Sequence, residues 1–270
     1  MSWLWAALMP HPPIIVPEVG RGREREASVT VNGVECLTEL ISEKKPDCLL
    51  ILSPHQPYAP NSLLINGAPH FKGSLLPFGA SISFEFNPSV KQRKFAGHLT
   101  SKGISASGGI FSDHDPDLTR DHGTLVPLYF LRRTWSKRGL ELPDIIIASP
   151  IGLGPEKSLE LGEALSSFAD DSSWGFLASG DLSHRLTPDA PAGYSPEGKK
   201  FDAAVVAALS SADPRELLGL APQKREEAGE CGLCSVMAML GFSRASGGTI
   251  EVISYEGPFG VGYCNALALL

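Results

Sequence analysis

Five apolar runs of strand length punctuate the chain: "LWAALM", "DCLLILS", "DIIIASP", "WGFLASG" and "TIEVISY". They are continuous rather than alternating, which is what strands covered on both faces require. Between them stand segments with helical spacing, "GTLVPLYFLRRTW", "KSLELGEALSSFAD", "KKFDAAVVAALSS" and "ECGLCSVMAMLGF". Buried strands alternating with helices that can cover them favour an α/β fold. The expectation is a single-domain sandwich over residues 1–270, with a central, mixed, mostly buried β-sheet flanked by helices. Residues 56–111, with their glycines, prolines and short alternating stretches, read as an antiparallel hairpin or edge excursion, which is why the sheet is expected to be mixed. The loop "LTPDAPAGYSPEG", residues 186–198, reads as a flap over a site.

Charge narrows the partners. The chain carries 23 basic and 30 acidic residues, a net charge of −7, and no long basic run, which argues against nucleic acid and anionic membrane and for a small molecule. The opening "MSWLWAALM" lacks a basic n-region, is too short to span a membrane and runs into prolines, so a cytoplasmic protein is expected. Five cysteines without an export signal read as free thiols.

The histidines carry the functional signal. In open α/β sheets ligands bind beyond the carboxyl ends of strands. His11 follows "WLWAALMP", His55 follows "CLLILSP" and His184 follows "WGFLASGDLS", while His122 opens the helix in "TRDHGTLVPLYF". His70, His98 and His114 have no such placement. A metal needs ligands from separate strands brought to one point, and imidazole is a common donor. A carboxylate to complete the set is offered by Glu230, which stands among small and apolar residues in "GECGLCSVMAML" and would be costly to bury without a cation. Glu226 and Glu227 are explained as helix N-terminal charges. Cys231 and Cys234 form a lone C-x-x-C, read as buried helix residues. Asp181 and His184 share the tight "SGDLSHRL" loop, where the aspartate can orient the imidazole. A Ser/His/Asp hydrolase is disfavoured by the missing G-x-S-x-G elbow, and no dinucleotide or P-loop motif stands in a usable context.

Taken together, "MPHPP", "LILSPHQP", "RDHGTLVPL", "ASGDLSHRL" and "EAGECGLCSVMAMLG" resemble the class III extradiol ring-cleavage dioxygenases, the superfamily of the protocatechuate 4,5-dioxygenase catalytic β subunit, over essentially the whole chain. The resemblance implies a non-haem Fe(II) held by His11, His55 and Glu230, with a catechol-type aromatic and O₂ on its open face. It further implies His184 as the acid/base histidine, His122 as a second histidine contacting a substrate hydroxyl, and Asp181 beside the substrate. Ring opening of an aromatic in catabolism is the activity implied, with a homodimer or a small accessory subunit as partner.

The superfamily also contains Memo-like proteins, in which a Cys-Gly pair stands near the glutamate position, and Cys231-Gly232 matches it. A thiolate would soften the ligand set and disfavour ring cleavage; Glu230 is preferred because a hard carboxylate suits Fe(II). A metal-dependent hydrolase using zinc is the alternative from another enzyme class. Arg120, Arg185 and Lys224 stand near the motifs as candidates to pair with a substrate carboxylate, and Tyr194 and Phe201 as candidates to face a ring.

Overall fold

The computed structural model describes residues 3–108 and 117–270; His114 lies outside them. In chain order the elements are β1 (Trp3–Met9), α1 (Pro17–Gly20), α2 (Ser28–Ser42), β2 (Cys48–Leu52), β3 (Leu63–Ile65), β4 (Phe71–Ser74), β5 (Ser83–Phe86), α3 (Gln92–Ser101), β6 (Ala106–Gly108), α4 (His122–Lys137) and β7 (Asp144–Ser149). There follow α5 (Gly154–Ser166), β8 (Trp174–Ser179), α6 (Pro196–Ser211), α7 (Arg215–Leu218), α8 (Pro222–Ala228), α9 (Leu233–Ser246), β9 (Thr249–Glu256) and β10 (Tyr263–Leu269).

Eight strands form one sheet in the order β6-β3-β7-β2-β8-β1-β10-β9. Its centre, β7-β2-β8-β1, is parallel, while β3 runs antiparallel to β7 and β10 antiparallel to β1. The mixed, helix-flanked sheet expected from the sequence is therefore what forms. Successive side chains of the central strands feed opposite cores, as the pleat demands. Leu49 and Ile51 join a core with α2 and α4, through Leu37, Ile41 and Leu128. Leu50 and Leu52 join a core with α3, α5, α6 and α9, through Phe95, Leu161, Val205 and Met239.

Two sequence expectations change in detail. "TIEVISY" is β9, at the edge of the sheet, and its pattern of exposure makes it half-covered rather than buried on both faces. Residues 56–111 do contain the hairpin, β4 with β5 as a separate two-stranded ribbon, but also the edge strands β3 and β6 and the helix α3.

The topology decides where chemistry can sit. β2, β8 and β1 are parallel neighbours, with Met9 opposite Ser179 and Leu52 opposite Ala178, so their carboxyl ends finish side by side. The segments that follow them carry His11, His55, Asp181 and His184.

Candidate metal centre

His11 is buried where β1 gives way to "PHPP", and two bonds fix it. Its backbone N–H donates to Asp181 Oδ1 at 2.8 Å, and its Nδ1 lies 2.8 Å from Ser179 Oγ. Ser179 Oγ also donates to the Gly123 carbonyl at 2.6 Å. That carbonyl is available because Pro127, four residues on within α4, has no N–H to return to it. A serine hydroxyl has one proton, spent on Gly123, so toward His11 it accepts. Nδ1 of His11 therefore carries the hydrogen and Nε2 presents its lone pair, the arrangement a metal ligand needs.

Nε2 of His55 meets that lone pair at 3.1 Å, and Cys231 Sγ lies 3.6 Å from the same His11 nitrogen. All three donor atoms fall within 4.8 Å of one another. A nitrogen–nitrogen gap of 3.1 Å suits two imidazoles bound at about 2.0–2.1 Å to one ion, and the sulfur–nitrogen gap suits a thiolate at about 2.3 Å. The residues present thus fit a borderline transition ion with two imidazoles and a thiolate.

Around this centre stand two further imidazoles. The His122 ring lies 3.9 Å from that of His55, tilted by 32°, and 5.2 Å from that of His11. His184 is near enough for its charge to act on His11, His55 and His122. The Nδ1 atoms of His122 and His184 are buried without a hydrogen-bond partner among the described residues. The site is covered on one side by Phe78, whose ring meets His122 edge-on at 5.5 Å.

His122 is placed by Asp121, the N-cap of α4. Its Oδ1 accepts from Ser53 Oγ (2.5 Å) and Thr124 N–H (3.0 Å), and its Oδ2 from Gln56 Nε2 and Thr124 Oγ1, both at 2.5 Å. Ser53 and Gln56 flank His55, so one saturated carboxylate locks the His55 loop to the start of the His122 helix. "RDHGT" holds the sequence signal for this cap, a D-x-x-T pattern.

Burial sets the electrostatics. It lowers the pKa of His11 most, with His55, His122 and His184 adding to the effect; it lowers His55 and His184, and takes His122 down to about 4. All four are neutral at pH 7 and give up no proton to bind a metal. Burial also pushes Asp181 up to about 7 against its bond from His11, and raises the Cys231 thiol with help from Asp181 and Glu230. A cation is what would reverse both.

Glu230, the carboxylate expected as third ligand, is not among the converging atoms. Its Oε2 accepts from the backbone N–H of Leu233 at 2.6 Å, capping α9, and burial pushes it up to about 7. The physical reason is the helix boundary. α9 starts at Leu233 with Gly232 as N-cap, so Glu230 and Cys231 belong to the turn before it rather than to the helix with Cys234. The unpaired N–H groups of that first turn capture the carboxylate, and the turn brings Cys231 inward, its Sγ 3.6 Å from the Asp181 carbonyl.

Asp181 braces His11 through Oδ1, while its Oδ2 stands 3.9 Å from His11 Nε2, at the edge of the centre. The other candidates fall outside it. Phe201 is buried in the core, Tyr194 is exposed, and Lys224 stands 4.0 Å from Glu197. Arg185 packs its stem against Gly229, with Nε buried and without a hydrogen-bond partner among the described residues. His70 pairs with Glu85 and Asn87, and His98 with the Ala164 carbonyl. The 186–198 loop is tied down: Leu186 N–H donates to Gly260, Ala192 to His184, and Ser195 to Arg185. Ser179, Ser53, Gln56 and Pro127 went unread in the sequence.

Comparison with known proteins bears on the fold and the family. Protein CA_C1420 of Clostridium acetobutylicum is 31% identical over 263 residues, covering 95% of this chain and 55% of that protein, so the chain spans about half the length of the curated relative it matches. The crystal structure of uncharacterized protein JW3007 from Escherichia coli K12 has a TM-score of 0.58 at 10% identity, covering 98% of this chain and 99% of that one, which shows a common fold. No helix among the described residues is long and apolar enough to cross a membrane. The model of one family, described as the catalytic LigB subunit of aromatic ring-opening dioxygenase, matches residues 5–265, and to that family the chain belongs.

Proposed function

We propose that the chain is a metal-dependent enzyme acting on a small catechol-type aromatic, with one transition-metal ion held by His11, His55 and Cys231. The observation that carries this reading is the convergence of His11 Nε2, His55 Nε2 and Cys231 Sγ within 4.8 Å, with the His11 lone pair directed there by Ser179. When bound, the ion supplies Lewis acidity toward an aromatic hydroxyl and, if it is iron, an electron path to O₂. His184 takes and returns a proton at its ring nitrogen, which suits an imidazole held neutral by burial. His122 holds a substrate hydroxyl, and Phe78 beside it gives an aromatic wall. Ring opening by Fe(II) and O₂ is the form of this chemistry that family membership supports.

A second reading keeps the metal and drops ring cleavage, as in Memo-like proteins. The engagement of Glu230 with Leu233 favours it, because the hard carboxylate is withdrawn from the ligand set.

The experiment is anaerobic reconstitution with Fe(II) or zinc, metal analysis of the wild type with Cys231→Ala and Glu230→Ala, and then oxygen uptake against a panel of catechols. Metal lost in Cys231→Ala and kept in Glu230→Ala supports the three-donor centre; the reverse removes it. Oxygen uptake with a ring-opened product supports the first reading, and stoichiometric metal without uptake supports the second.

A further inference from the structure

Just beyond His184, Leu186 and Thr187 form one wall of a cavity of about 690 Å³; Ala203, Val206 and Ala207 of α6 form a second, and Tyr255 a third. That volume is typical of small-molecule sites. The walls are largely apolar, and the one cation on the rim, Lys199, is exposed and makes no ion pair among the described residues. Its immediate neighbour Lys200 is committed to Glu197.

The cavity is wired to the histidine cluster. The Tyr255 hydroxyl donates to Asp202 Oδ2 at 2.7 Å, and Asp202 Oδ1 accepts from the Ser183 backbone N–H at 2.8 Å. Ser183 directly precedes His184, and its hydroxyl donates to the Ala228 carbonyl, on the segment leading to Cys231. Asp202 Oδ2 packs directly over Gly262, where a methyl would stand 1.9 Å from it. The Gly262 backbone is itself bonded to Leu182 and Ser183.

We infer that this cavity is an effector site for a small amphipathic carboxylate, whose occupancy is passed to His184 through Tyr255, Asp202 and Ser183. The hydrocarbon part is buried against Leu186, Val206 and Ala207, and the carboxylate pairs with Lys199 and competes for the phenol of Tyr255. A phenol has one proton. Given to the ligand, it is withdrawn from Asp202, which must then re-form its bonds and shift Ser183. The consequence for turnover rests on the proposed role of His184; binding itself does not.

The test titrates hexanoate, and neutral hexanol as control, into metal-free and zinc-loaded protein, by calorimetry and by NMR of the His184 ring. Hexanoate is expected to bind both forms, with hexanol, and hexanoate with Lys199→Met, at least about tenfold weaker. Val206→Trp fills the cavity and should abolish binding; Lys199→Met, at an exposed position, answers the same question if the tryptophan perturbs folding. Tyr255→Phe should still bind hexanoate but no longer move the His184 resonance. Absence of binding, indifference to Lys199→Met, or a His184 response that survives in Tyr255→Phe overturns the proposal. Should zinc fail to bind the wild type, the metal reading falls while the metal-free titration still decides this one.

Discussion

Gly180 and Gly232 meet backbone to backbone: a methyl on Gly180 would lie 2.5 Å from Gly232 Cα, and one on Gly232 would lie 2.7 Å from the Asp181 carbonyl oxygen. Through this contact the turn before α9 reaches the carboxyl end of β8 and delivers Cys231 to His11. Gly232 has an ordinary φ of −96°, so its requirement is for space. Gly232→Ala should cost about 1–3 kcal/mol from overpacking and weaken the thiolate-to-metal charge-transfer band of the cobalt-substituted protein. Urea unfolding and visible absorbance check this, and a variant unchanged in both would contradict it.

Ser179 fixes the His11 tautomer. Ser179→Ala leaves the Gly123 carbonyl and His11 Nδ1 without their partner, and loss of such support typically lowers metal affinity about 10–100-fold. Competition for zinc against a chelator of known strength measures the effect. Wild-type affinity would show that the hydroxyl does not set the tautomer.

For Glu230 the expectation is the opposite pairing of effects. Glu230→Ala removes the cap on Leu233 N–H and should destabilise the fold by about 1 kcal/mol while leaving metal stoichiometry intact. Thermal unfolding and metal analysis on the same sample separate the two. Loss of the metal with little change in stability would return the carboxylate to the ligand set.

The buried Asp202 gives a pH signature. Burial raises its pKa from 3.8 to about 6, so between those values the folded protein keeps a proton that the unfolded chain has lost. Stability is therefore given up as pH rises through that window, by about 3 kcal/mol once the group is ionised. Asp202→Asn keeps an acceptor for Ser183 N–H and should gain in Tm relative to the wild type from pH ~4 to ~7. Two parallel Tm curves would refute the assignment.

Much of this was legible in the sequence because continuous apolar strands ending in His11, His55 and His184 dictate both the parallel centre of the sheet and the edge where the imidazoles gather. The third side chain of the cluster was not. Glu230 and Cys231 are neighbours, and choosing between them depends on where α9 begins, a boundary set by the unpaired N–H groups at Leu233 and the contact of Gly232 with Gly180. Helix α2 was unreadable for another reason. "SVTVNGVECLTELIS" is rich in β-branched residues and contains Gly33, poor helix formers; it is helical because Val34, Leu37 and Ile41 are buried, and Gly33 is needed because a methyl there would lie 2.1 Å from Ser254 Oγ.

Pro127 sets stability against order at the centre. In an isolated helix, replacing it by alanine would be a gain of about 3 kcal/mol. Here the restored N–H would compete for the Gly123 carbonyl, and the Ser179 hydroxyl, released from that bond, could donate to His11 as readily as accept. A more regular α4 would thus be accompanied by an imidazole free to exchange tautomers, and a stabilising substitution at a residue that is no ligand would blunt the site.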